Sequence, residues 1–310
     1  MVGKRGFFYT IVTVLLILLL LVVLNFKFEH GTTQSERGVK ARVVSMNRFL
    51  KDLEDDLSRV SYITGYRALV GLVDYVIERG EYIDDVQTRL VEIFENGTVG
   101  GEQLQVLENH TFGEWVTRVQ SIANSYAINL SVTLNSVEFR MVSPWSIDLS
   151  INISVLLLDS KGIASWNTSI AQTTSLSILG LEDPVYPIMS YGRVFNTINI
   201  TPYSYFVNGT NTTNLKRHIN HSYYIASSVA PNFLMRLEGN FTASEYGIES
   251  LVYLPEFSAQ GLVTYERSCV DYLYANASTR AVHIINNTYE DWFRLDTEHL
   301  AVYQCEDITK

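Results

Sequence analysis

A run of uncharged, mostly apolar residues at 7–24 follows two basic residues, Lys4 and Arg5. Extended by two residues, this run reaches the roughly 20 positions that a helix needs to cross a bilayer. The sequence therefore predicts a transmembrane helix at 7–26 behind a short cytoplasmic leader at 1–6. Everything after the helix must then lie on one side of a membrane.

Sequons for N-linked glycosylation indicate which side that is. The basic residues before the span favour a cytoplasmic N-terminus. Twelve Asn-X-Ser/Thr triplets follow the span, whereas chance matches to this pattern would give about three. An exported, glycosylated, extracellular bulk explains the excess, and crowding of Asn, Ser and Thr in turns and strand faces is the alternative. The predicted N-glycosylation sites are Asn96, Asn109, Asn129, Asn152, Asn167, Asn199, Asn208, Asn211, Asn220, Asn240, Asn276 and Asn286.

A cleaved secretory signal peptide is the competing interpretation of the N-terminus. Its apolar core would have 7–15 residues and would precede a small-x-small cleavage site. The run here is longer, and residues 23–28 include no small residue. The pattern therefore favours an anchor that stays on the protein.

The junction of Lys4, Arg5, Gly6 and Phe7 resembles the class III leader of archaeal type IV pilins. In that family a prepilin peptidase cuts after the glycine, so the resemblance implies leader cleavage between Gly6 and Phe7. The likeness covers about the first 25 residues. The fifth mature position holds Ile11, where bacterial pilins carry Glu. An uncleaved signal anchor remains the alternative.

Composition excludes one class of partner and sets the size of the folded part. A net charge of −10 and the lack of any basic run argue against nucleic acid, which needs a clustered basic surface. About 280 residues after the span are enough for one large domain or two small ones.

Two cysteines, Cys269 and Cys305, form an even pair. Outside the cell such a pair predicts a disulfide. Closing a loop of this length stabilises a protein by roughly 3–4 kcal/mol at most. Two buried free thiols are the alternative.

A long amphipathic helix is predicted after a linker, within residues 27–80. Gly31, Thr32 and Thr33 are expected to interrupt the helix that leaves the membrane, and Thr33 to Glu36 match a capping box that begins the long helix. Such a helix either forms an oligomeric coiled-coil stalk or folds onto its own globular domain. The second option is favoured, and the pilin resemblance implies it too. The predicted apolar stripe consists of Val39, Val43, Met46, Leu50, Leu53, Leu57 and Val60, continuing at Ile63, Tyr66, Val70, Val73 and Ile77.

The pattern then passes from helices to strands. Residues 81–126 predict a helical segment, with a helix at 81–95 and a second one begun by the capping box Thr111–Glu114. Within 127–180 the apolar residues alternate, which predicts an antiparallel meander with one face in water. The predicted strands are 128–134, 147–155 and 163–178, and the sequons Asn129 and Asn152 fall on the wet face.

The remaining residues, 181–310, predict a C-terminal α+β lobe with an exposed loop at 203–215. Three segments of this lobe resemble a group of uncharacterised archaeal exported proteins, and that resemblance carries no activity with it. They are Gly180–Pro184, Gly247–Leu251 and Ser268–Tyr272. The apolar clusters expected to form the lobe are 233–237, 248–254, 270–274, 281–285 and 299–303.

Catalytic and metal motifs with diagnostic spacing do not occur in the sequence. His218 and His221 have HxxH spacing, but their polar surroundings favour a surface pair over a metal site. An acidic run at 52–56 predicts a solvated helix face, and Glu182 with Asp183 predicts a turn or an interface. No catalytic, cofactor or metal site is therefore predicted. A group of tyrosines could form an adhesive or sugar-binding surface, but packing on sheet faces is the favoured interpretation. They are Tyr203, Tyr205, Tyr223, Tyr224, Tyr253, Tyr272 and Tyr274.

These observations predict an α+β fold made of a transmembrane helix, a long amphipathic helix, an antiparallel β-meander and a C-terminal α+β lobe. The pilin resemblance implies a single-pass, structural or adhesive component of an archaeal cell surface, and not an enzyme. Its expected partners are membrane lipid and other pilin-like subunits or envelope proteins. The alternatives are a membrane-tethered extracellular binding module that recruits a ligand or partner, and an anchored hydrolase with scattered site residues.

Overall fold

The computed structural model describes residues 4–289 and 291–310, and within them it leaves the side chains of 4–8, 10 and 25–36 undescribed. The fold is mixed α+β, and a long helix precedes an antiparallel meander, which confirms those parts of the predicted fold class. Two compact units divide the chain. One comprises residues up to 56 with 119–132 and 155–168, and the other comprises 57–118, 133–154 and 169–310.

Helix α1 runs without interruption from Lys4 to Arg79. Its 76 residues correspond to about 114 Å at 1.5 Å per residue. The predicted break at Gly31–Thr33 is therefore wrong, and no helix begins at the capping-box sequence that follows it. A single glycine inside a helix costs only about 1 kcal/mol, which is too little to end a helix of this length.

The buried face of α1 follows the predicted stripe only over part of its length. Met46, Leu53 and Leu57 are buried as predicted, whereas Val39 and Val43 are exposed. Beyond Leu57 the predicted stripe is confirmed at Val73, which is buried, and is wrong at Ile63, which is exposed. Tyr66, Val70 and Ile77 are half-buried. The buried positions there are Ser61, Thr64, Gly65, Ala68, Leu69, Gly71, Leu72, Val73 and Val76.

A glycine occupies that face at position 65 because the sheet approaches the helix closely there. A Cβ added to Gly65 would lie 2.5 Å from Leu149 Cδ2 and 3.1 Å from Leu176 Cδ1. Both leucines belong to the meander. Gly65 therefore marks a close approach of helix and sheet, which a search for large apolar residues overlooks.

A helical segment follows α1, as predicted. Helix α2, Val86–Asn96, begins at the cap Asp85, whose side chain accepts a hydrogen bond from Thr88 N, and ends at Gly97, which has a φ of 74°. Strands β1, Thr98–Val99, and β2, Glu102–Gln103, form a small hairpin. Helix α3 spans Phe112–Ser125.

The capping box at the start of α3 forms as predicted. Glu114 N donates to Thr111 Oγ1 over 3.1 Å, and Thr111 N donates to Glu114 Oε2 over 3.0 Å. Both backbone donors would otherwise lack partners at the beginning of the helix. The sequence signature therefore fixes this helix start.

The meander consists of β3, Ile128–Ser143, β4, Ser146–Asp159, and β5, Ser165–Ser177, hydrogen-bonded in that order. Burial alternates along β4, so the predicted two-residue period is confirmed. Strands β3 and β4 are longer than predicted, and β5 is slightly shorter than the predicted 163–178. The β4–β5 turn contains Gly162 at a φ of 70°, and its N–H donates to Asp159 O over 2.8 Å.

The C-terminal stretch contains short helices and short strand pairs around an apolar core, as the predicted clusters require. Strand β6 pairs with β7, and β8 pairs with β9. Part of the predicted loop at 203–215 instead opens a helix, and Phe206 and Leu215 are buried. The elements are α4 Val185–Met189, α5 Thr213–Asn220, β6 Tyr224–Ala226, α6 Phe233–Leu237, β7 Ile248–Ser250, α7 Leu254–Ala259, α8 Asp271–Ala275, β8 Val282–Ile284, β9 Arg294–Asp296 and α9 Thr297–Val302.

Within the described residues, no helical stretch is both long enough and apolar enough to span a membrane. The predicted span at 7–26 extends beyond them, because the side chains of 7, 8, 10, 25 and 26 are undescribed. The span therefore stays a prediction.

Candidate functional site

A fully buried guanidinium lies at the centre of the C-terminal stretch. Arg236, on α6, contacts Asp183, before α4, and Asp271, at the start of α8. Its Nη2 lies 2.5 Å from Asp183 Oδ2 and 2.6 Å from Asp271 Oδ2. All three side chains are 0% exposed. We call Arg236, Asp183 and Asp271 the arginine cluster.

Neighbouring hydroxyls complete the hydrogen bonding of the arginine cluster. Tyr224 OH donates to Asp183 Oδ2 over 2.6 Å, and Ser250 Oγ donates to Asp271 Oδ2 over 2.7 Å. Arg236 Nη1 also donates to the backbone oxygen of Ile248 over 3.2 Å. The carboxylates thus gain partners that offset the loss of water.

Electrostatics in the arginine cluster keep the guanidinium charged. Burial alone would lower the pKa of Arg236, but the charges of Asp183 and Asp271 raise it well above its ordinary value. Burial raises the pKa of Asp271, Arg236 opposes this change, and the charge of Asp183 adds to it. Two carboxylates share one cation, so the cluster carries one more negative than positive charge when both are ionised.

A second buried group centres on His299 of α9. His299 Nδ1 lies 2.8 Å from Asp296 Oδ1, and Nε2 lies 3.3 Å from Glu249 Oε2. Burial alone would lower the pKa of His299, but hydrogen bonds to Asp296 and Glu249 raise it to about 9. Burial would raise the pKa of Asp296, but the hydrogen bond from His299 lowers it to about 2. His299, Asp296 and Glu249 are the histidine cluster.

Two polar atoms beside the histidine cluster have no hydrogen-bond partner in the described structure, Glu249 Oε1 and Tyr303 OH. Burial and then the charge of Glu249 raise the pKa of Tyr303 well above its ordinary value. Tyr303 therefore stays protonated next to Glu249.

Three segments that the sequence analysis singled out meet at these two clusters. Gly180–Pro184 supplies Asp183, Gly247–Leu251 supplies Glu249 and Ser250, and Ser268–Tyr272 supplies Asp271. The fold thus brings these three segments together, although they are far apart along the chain. Asp183 binds Arg236 inside the C-terminal stretch, whereas Glu182 forms an isolated β-bridge with Thr197.

Sequence reasoning missed the partners of those motifs, Arg236, Asp296 and His299. Arg236 lies inside an apolar cluster at 233–237, and His299 lies inside another at 299–303. A charged or titratable residue enclosed by apolar neighbours on a short helix is the signal that would have identified them, because such residues are rarely buried without a partner.

The arrangement suits stabilisation better than chemistry on a substrate. The cluster residues are at most 1% exposed, and each is held by hydrogen bonds from other elements. A substrate would need access to the carboxylates or to the imidazole. We infer that the clusters lock the short elements of the C-terminal stretch to one another.

The HxxH pair is not a surface pair, so that prediction is wrong. His221 is exposed, but His218 is 0% exposed, packs against Phe206 and Tyr303, and accepts or donates a 3.1 Å hydrogen bond at Thr201 Oγ1. Burial lowers the pKa of His218 to about 3. Among the described residues no group of His, Cys, Asp and Glu could hold a metal ion.

The acidic run at 52–56 lies on the solvent side of α1, with Asp52, Glu54 and Asp55 exposed. Several tyrosines have structural positions, since Tyr224, Tyr272 and Tyr274 are buried. Tyr205 is 51% exposed.

Cys269 and Cys305 are both buried free thiols in one apolar core. Burial raises the pKa of each thiol to about 12, so neither is a reactive thiolate at neutral pH. The structure thus shows two buried free thiols, which the sequence analysis gave as the alternative to a disulfide. The disulfide stays a prediction for the chain in an oxidising exterior.

All twelve sequon asparagines lie in the described part of the chain, and none of them is buried. Ten are exposed, and Asn152 and Asn286 are partly exposed. Asn129 and Asn152 lie on the wet face of the meander, where the sequence placed them. A glycan could therefore be attached at any of these positions without opening the core.

The first part of α1 exposes its apolar side chains all around the helix. From Ile11 to Leu24 they are 42–67% exposed. Gly6 and Phe7, the predicted leader cleavage residues, lie near the start of α1, and their side chains are outside the described part. Exposed apolar surface of this extent marks a site that contacts lipid or protein.

Three comparisons, with protein-family models, with curated proteins and with solved structures, found no match to this chain.

Proposed function

We propose that this chain is a single-pass, pilin-like subunit of an archaeal cell envelope, with a structural or adhesive role. The first part of α1 anchors it in lipid, and the residues after the anchor face the exterior and carry N-linked glycans. The observation that carries the proposal is the uninterrupted α1, which is apolar and exposed on all sides at 11–24 and amphipathic further on.

Helix geometry supports an anchor that continues directly into the folded part. A helix that is apolar on every side is stable where its surroundings are apolar, such as lipid or the core of an assembly. Later in α1 the contact of Gly65 with Leu149 and Leu176 places the helix on the meander. A long helix of which one half is apolar and the other lies on a sheet is what the pilin resemblance implies.

Surface chemistry supports the exterior placement. Every sequon asparagine is at least partly exposed, and they occur on helices, strands and turns alike. A net charge of −10 keeps such a surface soluble and discourages binding to nucleic acid.

The native N-terminus tests the proposal. Mass spectrometry of the protein isolated from its own cells should find a chain that begins at Phe7, because the resemblance implies cleavage after Gly6. Gly6→Val should abolish processing, and Gly3→Val is the matched control that should leave it intact. A native chain that still begins at residue 1 or 2 would overturn the pilin-like assignment.

A tethered binding module is the second candidate, because a polar concavity exists in the C-terminal stretch. A surface pocket of about 680 Å³ is lined by Tyr272, Arg280 and Glu298 among others, and ligand sites usually have about 300–1,000 Å³. This candidate expects an unprocessed N-terminus and a diffusible ligand bound in the pocket.

A further inference from the structure

Three concavities of the C-terminal stretch are lined by residues of predicted N-glycosylation sites. Three surface pockets, of about 680, 560 and 440 Å³, are each lined by sequon residues. The first contains all of Asn276–Ser278, the second contains Gly209 and Thr210, and the third contains Asn286–Thr288. A glycan on any of these sequons would start at or beside a pocket.

Asn276, which lines the largest of these three pockets, is accessible for glycosylation. Asn276 directly follows α8, and Ala277 has a φ of 50°, which turns the chain away from the helix axis. Asn276 is exposed, and its side-chain amide makes no hydrogen bond in the described structure. Its Nδ2 is therefore available for modification.

The walls of the pocket at Asn276 suit a saccharide. Phe241 is partly exposed and offers an apolar surface of the kind that sugar rings pack on. Arg280 Nη1 donates to Glu298 Oε2 over 2.5 Å and lies 3.4 Å from Asp296 Oδ2. Since a guanidinium has five N–H donors, Arg280 keeps donors that can bind sugar hydroxyls.

We propose that the 680 Å³ pocket is the seat of this chain's own N-linked glycan at Asn276, and is not an open site for a diffusible ligand. The inference rests on the exterior placement in the proposed function. In the modification, Asn276 Nδ2 bonds to the anomeric carbon of a lipid-linked phosphosaccharide donor. The bond from that carbon to phosphate oxygen breaks, the phosphate leaves with the electron pair, and Nδ2 loses a proton.

Asn286 is the internal comparison. It also lines a pocket, but its Nδ2 donates to Thr309 O over 3.3 Å, and it is only partly exposed. Attachment there would break this bond. Asn286 should therefore carry glycan on a smaller fraction of molecules than Asn276.

Glycopeptide mass spectrometry and hydroxyl-radical footprinting of the native full chain test the proposal. Asn276 should carry glycan, and Phe241 should be protected from oxidation. Ser278→Ala removes the sequon and keeps Asn276, and it should raise the oxidation of Phe241 several-fold. Ser169→Ala removes the Asn167 sequon on β5 and should leave Phe241 unchanged.

A second variant guards against a local effect of the first. Ser278 Oγ accepts a hydrogen bond from Arg280 N over 3.3 Å, which Ser278→Ala loses. Asn276→Gln keeps that bond and removes the glycan, so both variants should expose Phe241 equally.

The possible failures are distinguishable from one another. A bare Asn276 on a protein that is glycosylated elsewhere would overturn this inference and leave the proposed function standing, as would an unchanged Phe241 footprint in both variants. A protein without glycan at any sequon would overturn both the inference and the exterior placement. A native N-terminus at residue 1 or 2 would remove only the pilin-like assignment.

Discussion

The α1–meander region and the C-terminal stretch 181–310 are built on different principles. The first consists of one helix of 76 residues and strands of 16, 14 and 13 residues, packed through apolar side chains. The second consists of helices and strands of three to eight residues around the arginine and histidine clusters. The short elements also surround an apolar core, and the directional bonds of the two clusters add to the packing that holds them.

The two regions are expected to be sensitive to different kinds of substitution. Apolar packing is non-directional, and its loss is graded with the area or volume removed. A buried ion pair fails abruptly, because removing one partner leaves the other charged and desolvated. Charge changes should therefore damage the C-terminal stretch most, and volume changes should damage the helix–sheet contact most.

The largest effect is expected from Arg236→Met. It leaves Asp183 and Asp271 buried without their cation, so the free energy of unfolding should fall by about 3–5 kcal/mol. Denaturant titration of the purified full chain in detergent measures this change.

Arg79→Met is the matched control, because Arg79 pairs with Glu102 and both side chains are 55% exposed. Exposed pairs contribute at most about 1 kcal/mol. Equal losses in the two variants would remove the contrast between buried and exposed pairs on which the comparison depends.

The pH dependence of stability separates the two buried histidines. The folded pKa of His299, about 9, lies above the ordinary 6.5, so its contribution is complete below pH 6.5 and is lost as the pH rises through 9. Its size should be up to about 3 kcal/mol. His299→Gln should flatten the decline in unfolding free energy between pH 6.5 and 9.

His218→Gln should leave that decline intact. Burial lowers the pKa of His218 to about 3, so this histidine is neutral throughout the range and its own contribution is lost only as the pH falls below 6.5. If His218→Gln flattened the alkaline decline and His299→Gln did not, the charge assignment of the histidine cluster would be wrong.

The helix–sheet contact should respond to volume. Gly65→Ala places a Cβ 2.5 Å from Leu149 Cδ2, and overpacking of this kind costs about 1–3 kcal/mol. Gly38→Ala, where nothing lies within 4 Å, should instead stabilise α1 by about 0.5–1 kcal/mol. Denaturant titration should show that the free energy of unfolding falls in Gly65→Ala and rises in Gly38→Ala. A rise in both variants would show that the helix–sheet contact at Gly65 is loosely packed.

The smallest effect is expected at the start of α3. Thr111→Ala removes the side-chain half of the capping box and should cost about 1 kcal/mol. Thr117→Ala, which removes an exposed bond to Gly113 O in the same helix, should change unfolding by less than about 0.5 kcal/mol. Equal values would contradict a specific role for the cap.

Local patterns predicted the regular half of the molecule. The alternation along β4 and the Thr111–Glu114 box could be read from neighbouring residues. The predicted apolar clusters coincide with α6, β7, α8, β8 and α9, whereas α4 and α5 were not predicted. The break at Gly31–Thr33 was wrong, because a weak local preference yields to a long helix. The stripe beyond Leu57 was wrong at Ile63 and missed Gly65, because the pattern counts only large apolar residues and the sheet approaches the helix at a glycine.

The clusters could be predicted only in part. The motifs around Asp183, Glu249 and Asp271 were visible in the sequence, but their shared partners were not. Arg236 is 53 residues from Asp183 and 35 from Asp271, and His299 is 50 from Glu249. Pairings over such separations depend on the three-dimensional path of the chain, which no local period encodes.

A protease site placed in one turn tests on which side of the membrane the residues after the predicted span lie. Lys161 is exposed in the β4–β5 turn, so a protease recognition sequence inserted after it should leave the core intact. Protease added to intact cells should cut this chain as completely as protease added to lysed cells. A chain that stays whole on intact cells and is cut only after lysis would contradict the exterior placement, and the glycans and surface role would be lost with it.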